Sequence, residues 1–184
     1  MRRPFALALS AALLTLGACG STKRTTSTVA PYEPHAVHLA GSLRLTSSAF
    51  RPNGAIPRLY TCNGRNTSLP LSWTGVPAGT KELVLVMRDP DAPSGNFVHW
   101  ALAGIRPMPG MFSAGGVSGL VVPGRNSFGS LGYRGPCPPP GRAHHYVLTL
   151  TALPARSGLR PGFDPEQLRV GALAIATLIG TYGR

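Results

Sequence analysis

The chain has 184 residues, enough for one domain with a sizeable core, and 43% hydrophobic against 13% charged content excludes a disordered polymer. Gly 23 and Pro 19 are both high, which indicates many turns, little helix and a β-rich domain. The net charge of +12 would suit nucleic acid, but basic residues stand singly or in pairs such as Arg2-Arg3 and Lys23-Arg24, with no basic helix or aromatic-interleaved basic strand. No nucleic-acid partner is therefore expected. Attraction to anionic lipid needs less organisation.

The N-terminus reads as a targeting segment. Arg2-Arg3 form a charged start, Phe5 to Leu16 an apolar core, and Gly17-Ala18 are small. The apolar run is too short for an ordinary membrane span. Leu16-Gly17-Ala18-Cys19 resembles the bacterial lipoprotein signal, which implies a signal peptide over 1–18 and acylation (palmitate included) of Cys19. Residues 19–41 are rich in Ser, Thr and Pro and read as a flexible tether, so His35 and His38 receive no role. Several acyl chains give durable membrane attachment. Cys62 and Cys137 remain. An exported domain holds such a pair either as a disulfide or as two buried thiols, and spacing does not choose.

The folded domain is expected over 42–184. Ser42 to Ser48 alternates apolar and polar residues like a half-buried strand. Phe50 to Asn66 is turn-rich, and Leu69 to Trp73 is a short strand. Lys81 to Arg88 is an apolar run typical of a central covered strand, ended by Asp89-Pro90. Phe97 to Ile105 follows as a strand with His99 and Trp100. Gly110 to Gly141 carries almost no regular signal, and long irregular stretches in compact domains are usually functional. His144 to Leu153 returns to strand character. Near the end, Asp164 suits an N-cap, Pro165 an N1 position and Gln167 a capping box. Leu168, Ala172, Ile175 and Ile179 fall on one helical face, with Gly180 as the stop. The expected fold is mainly β: a β-sandwich with a C-terminal helix and long Gly/Pro-rich loops.

Two stiff turns sit beside histidine-bearing strands. One is Asp89-Pro90-Asp91-Ala92-Pro93, before His99-Trp100. The other runs from Gly132 to Gly141, before His144-His145-Tyr146. Asp89 ends a buried strand and needs a partner, for which His99 or a ligand ammonium is the candidate. Asp91 suits a turn-stabilising role through its own backbone. Adjacent strand residues face opposite ways, so only one of His144 and His145 lines a pocket, and Tyr146 shares the face of His144. Backbone N–H groups of Gly135, Cys137 and Gly141 are candidate anion donors.

These segments resemble the phosphatidylethanolamine-binding protein family, also called Raf kinase inhibitor-like proteins, in its bacterial branch. The resemblance runs from about Leu43 to Arg184. It includes Tyr60-Thr61-Cys62-Asn63-Gly64, Pro70-Leu71-Ser72-Trp73, Val76-Pro77-Ala78-Gly79-Thr80 and Leu178-Ile179-Gly180-Thr181-Tyr182. It implies a β-sandwich with a small anion pocket. Asp89, His99, His144 and Tyr146 match its side chains, and Pro138 and Pro139 its wall. The implied ligands are phosphate-like groups, including a phosphoethanolamine lipid head, and some members inhibit kinases or serine proteases. Asn63 and Ser127 stand where the bacterial pattern favours acids, and Arg134 where it favours glycine.

Enzyme motifs are missing. The chain has no Gly-x-Ser-x-Gly elbow, P-loop, dinucleotide fingerprint or His-Glu-x-x-His. Asp89, His99 and His144 could form a two-His, one-carboxylate metal set, but the reading gives the imidazoles to an anion. The expectation is a non-catalytic, cofactor-free lipoprotein of the bacterial cell envelope that binds a phosphate-like or phospholipid-headgroup ligand. The alternative is an inhibitor that binds a protease or kinase through the segment from Gly110 to Gly129.

Overall fold

The computed structural model describes residues 43–117, 120–168 and 171–184. The signal peptide, Cys19, the 19–41 tether, His35 and His38 lie outside these. Among the described residues, eight strands form two antiparallel sheets. They are β1 (Arg44–Thr46), β2 (Leu71–Thr74), β3 (Glu82–Asp89), β4 (Phe97–Ile105), β5 (Gly110–Phe112), β6 (Val122–Pro123), β7 (His144–Leu153) and β8 (Ala174–Tyr182). The small sheet has the order β1-β2-β5 and the large one β6-β4-β3-β7-β8.

β3 is central and covered on both faces, which explains its unbroken apolar run. Leu83, Leu85 and Met87 join Trp100, Leu102, Leu148 and Leu150 in the inner core, where Leu71, Trp73 and Phe112 of the small sheet meet them. Val84 and Val86 face outward beneath Phe163, with Leu159 and Leu168 packed alongside. Full burial of each aliphatic side chain contributes about 1.5–3 kcal/mol.

β4 carries two register shifts against β3. Met87 faces Trp100 but Arg88 faces Val98, so His99 is an extra residue. The bulge turns His99 inward beside Trp100, while Val98 stays in the outer cluster. The second shift, between Leu83 and Leu85, falls beside Gly104 at φ 72°. The Gly104 N–H donates to the buried Glu82 carboxylate at 2.8 Å, which also accepts from the Ser157 N–H at 2.7 Å and hydroxyl at 2.8 Å. Three donors thus compensate a carboxylate that burial alone would not tolerate.

The expected C-terminal helix does not form. Its start is as read: Asp164 accepts from the Glu166 N–H at 2.9 Å, and Gln167 reaches back to the Asp164 N–H at 3.1 Å. The helix stops after one 3-10 turn, Pro165–Gln167. Ala174–Tyr182 instead becomes β8 and pairs with β7 at nine positions, from His144↔Tyr182 to Ala152↔Ala174. Helical spacing and strand alternation coexist in this segment. β-Branched Ile175, Thr177, Ile179 and Thr181 favour the strand, and β8 covers the otherwise open edge of β7. Gly180 is not a helix stop. A Cβ there would lie 2.6 Å from the Phe50 ring and 2.7 Å from Ile56, so glycine lets both pack onto the sheet.

Replacing Glu82 with Ala leaves the half-buried Gly104 and Ser157 donors without their partner. The expected cost is about 3 kcal/mol, read as a lower urea midpoint of unfolding.

Candidate ligand-binding site

Asp89 closes β3, where Pro90 stops the ladder. Its Oδ1 accepts the Asp91 N–H at 2.9 Å, and its Oδ2 accepts from His144 Nδ1 at 2.8 Å. Asp89 and His144 are both buried. A carboxylate only accepts, so the His144 proton sits on Nδ1 and Nε2 is left for another partner.

Asp89 was expected to orient His99, and the structure corrects this. His99 Nδ1 lies 2.7 Å from the Arg134 carbonyl, which also receives the proton, so the neutral ring presents Nε2 as an acceptor. The reason is the β4 bulge, which aims His99 at the loop rather than at the end of β3. The Arg134 N–H returns the contact to the His99 carbonyl at 3.0 Å. Burial pulls the His99 pKa below its ordinary value, and the Arg134 carbonyl and Asp89 carboxylate only partly oppose it. Asp91 also differs from expectation. Asp89 closes the turn, while Asp91 reaches to β7, accepting from the His145 N–H at 2.8 Å and from His145 Nδ1 at 2.7 Å. These two bonds, the backbone one first, hold the Asp91 carboxyl below the usual carboxylate range.

Asp89, His99 and His144 line one cavity of about 260 Å³, with Pro93, Phe97, Phe128, Cys137, Pro138 and Pro139 in its walls. As the alternation of β7 predicts, His144 faces in and His145 faces solvent. Tyr146 sits behind the cavity. It is fully buried, edge-on to His99 with ring centroids 5.2 Å apart. Its hydroxyl is buried near Asp89 and the Cys137 backbone without a well-formed hydrogen bond. Burial first, then the Asp89 charge, push its pKa up, so the phenol stays protonated and able to donate.

Gly135 does not serve as an anion donor. Its N–H is taken by Asn66 Oδ1 at 2.7 Å, and a Cβ there would lie 2.1 Å from the Tyr60 carbonyl. Gly135 is needed for that close approach. The Gly141 N–H is likewise spent on the Arg184 carbonyl at 3.3 Å. Cys62 and Cys137 form a disulfide, with Cα atoms 5.3 Å apart. Together with the Cys62 N–H donating to the Pro136 carbonyl at 3.0 Å, it clamps the loop that carries the proline wall.

Two wall residues escaped the sequence reading. Phe97 and Phe128 meet edge-to-face at 4.9 Å, and each flanks His99 at 5.3 and 5.4 Å. Phe97 stands two residues before His99, a usable alternation signal. Phe128 lies in an irregular Gly/Ser loop with no period. The Arg134 guanidinium stacks on Phe128, 5.0 Å from the ring centroid. Among the described residues no group of three His, Cys, Asp or Glu side chains converges as a metal site.

The chain is thus a two-sheet β domain with a buried carboxylate–imidazole pair beneath an apolar-walled cavity of small-ligand size. More narrowly, the chain belongs to the phosphatidylethanolamine-binding protein family, whose profile matches residues 46–182. It is 42% identical to a UPF0098 protein of Methanothermobacter thermautotrophicus over 77% of this chain and 99% of that one. It is 38% identical to the Mycobacterium tuberculosis protein named "Putative lipoprotein LppC", over 98% of this chain and 96% of the other. Among solved structures, a homologue of the family from Chlamydia trachomatis superposes with a TM-score of 0.73 at 34% identity, covering 79% of this chain and 99% of its own. Escherichia coli YbcL superposes with a TM-score of 0.71 at 27% identity, covering 77% and 98%.

The disulfide closes a separation of 75 residues. Reducing it, or replacing Cys62 with Ser, is expected to lower unfolding free energy by about 4 kcal/mol. Denaturant titration with and without reductant measures this.

Proposed function

We propose that this protein is a membrane-anchored, non-catalytic binder of a phosphate-like anion of the phosphoethanolamine or phospholipid-headgroup kind. The observation that carries the reading is the buried Asp89–His144 pair lining a cavity with His99. Protonated on Nδ1 by its contact with Asp89, His144 keeps Nε2 for a ligand. That nitrogen accepts from a donor on the ligand, such as the ammonium of phosphoethanolamine. The Tyr146 phenol, buried and without a well-formed bond, is a donor close to the same pair. Phe97, Phe128 and the prolines suit a ligand with an apolar part next to its charged head.

A non-catalytic role is supported by what the imidazoles touch. The Asp89–His144 pair resembles two members of a hydrolytic triad, but among the described residues no hydroxyl is hydrogen-bonded to His144. The His99 Nδ1 proton is held by a backbone carbonyl rather than by a carboxylate. Cys137, the thiol of the wall, is tied in the disulfide.

The envelope location rests on Cys19 and its preceding apolar segment, and the disulfide agrees with an oxidising compartment. The lipoprotein name of the Mycobacterium tuberculosis relative points the same way. The net charge of +12 favours both anionic ligands and an anionic membrane surface.

Calorimetric titration with phosphoethanolamine should show binding that His144→Ala weakens at least tenfold; equal binding by both proteins removes the proposed site. Because the His99 pKa is depressed, its ring is neutral at pH 7 and becomes a double donor only at acidic pH. Affinity should therefore be low and flat above about pH 6.5 and rise as pH falls below it. A flat profile from pH 5 to 8 means that neutral donors suffice.

Cys19→Ser should move the protein from the membrane fraction to the soluble fraction. Retention in the membrane fraction refutes lipid attachment at Cys19.

A further inference from the structure

The largest exposed apolar side chains near one cavity are Leu120 (97% exposed), Met111 (67%) and Met108 (53%). All three line a cavity of about 200 Å³ at the Ile105 end of β4, with Trp73 and Arg106 beside them. They are held there by the fold. The Trp73 indole N–H donates to the Met108 carbonyl at 2.8 Å. The Leu120 carbonyl lies 3.2 Å from where a Cβ on Gly104 would stand, so the absent side chain lets that backbone rest on β4 while Leu120 projects outward. Scattered exposed apolar residues need no explanation, but three around one depression do.

The tether enters at this place. Leu45, Trp73 and Gly110 form one row across the small sheet, and the described chain begins at Leu43, two residues before it. At strand spacings, the start of the domain lies within about 10 Å of the Trp73 backbone. Cys19 precedes Leu43 by 24 residues, and a random chain of that length spans about 27 Å. An acylated Cys19 thus keeps the patch close to a bilayer at high effective concentration, where even shallow insertion is retained.

Charge agrees. No Asp or Glu occurs between Ala92 and Phe163, so Arg106 at the cavity and exposed Arg44 beside the tether face no acid from that stretch. An arginine beside an apolar cluster, with a second exposed on the neighbouring small sheet, fits phospholipid headgroups around acyl chains.

We infer that Met108, Met111 and Leu120, with Arg106 and Arg44, form a face that docks onto an anionic lipid bilayer. The inference rests on the anchored reading of Cys19. It assigns no ligand to the face, and the anion cavity is separate. His99 stands six residues from Ile105, about 20 Å along β4, so docking leaves the cavity with His99 and His144 unobstructed.

The test uses the anchored chain with Leu120→Cys. Cys19 being acylated and Cys62–Cys137 bonded, the introduced cysteine is the one free thiol and takes an environment-sensitive fluorophore. Ser94→Cys, near the other end of β4, is the control. In vesicles with 30% phosphatidylglycerol and doxyl-labelled acyl chains, the label at 120 should be quenched at least twofold more than at 94. Met111→Ser with Arg106→Gln should abolish that difference and leave phosphoethanolamine affinity unchanged. Equal quenching at 94 and 120 overturns the docking face. So does shielding of position 120 that appears only on cross-linking to a second protein. A chain released to the soluble fraction whose label still responds to added vesicles refutes the anchor while upholding the face.

Discussion

The hydrogen bond between Asp89 Oδ2 and His144 Nδ1, 2.8 Å long and buried, is the contact on which the site depends. Neither group is stable alone in that position, because a buried carboxylate without a partner is too costly. The bond joins the end of β3 to the start of β7, so the two central strands must be in register before it can form. The other oxygen of Asp89 closes the Pro90 turn, and Asp91 crosses to the His145 backbone. One carboxylate therefore fixes an imidazole tautomer, a turn and part of the cavity wall together.

The second constraint is the bulge in β4. Without it, strict alternation would put His99 on the outer face and Val98 on the inner face with Trp100. With it, His99 and Trp100 both turn inward, and His99 meets Tyr146, Phe97 and Phe128. The loop that closes the cavity is then held to β4 by a reciprocal pair of bonds between His99 and Arg134, and to the turn at Tyr60–Cys62 by the disulfide and Pro136. Rigid strands thus position the polar groups, while covalent and backbone ties position the irregular wall. A site built this way binds without needing to reorganise, which suits a small anionic head.

The two ends of β4 do different work under the proposed reading. The Phe97 end holds the cavity and its imidazoles. The Ile105 end carries the exposed methionines and Leu120, next to the entry of the tether. Anchor, apolar face and cationic surface all bias the same end toward the bilayer, and the cavity is left for ligand exchange.

Much was legible before folding. Local alternation located β4 and β7 to the residue, the unbroken apolar run marked β3 as central, and strand parity put His144 and His145 on opposite faces, with the family resemblance choosing His144. The capping box at Asp164 was also correct, because it involves only neighbours along the chain. The segment after it was not. Ala174–Tyr182 satisfies a helical stripe and a strand alternation at once, and only the unpaired edge of β7 selects the strand. The partner of Asp89, the bulge at His99, the occupation of the Gly135 N–H by Asn66 and the arrival of Phe128 at the cavity were equally out of reach. Each depends on contacts between residues far apart in sequence, where single-residue shifts of register redirect a side chain. The sequence by itself determined which chemistry is present: one turn bearing two carboxylates, the imidazoles, two cysteines beyond Cys19 and the lipoprotein-like start. Tertiary structure alone decided which of those groups touch, because hydrogen-bond partnership is set by strand register and loop closure rather than by local pattern.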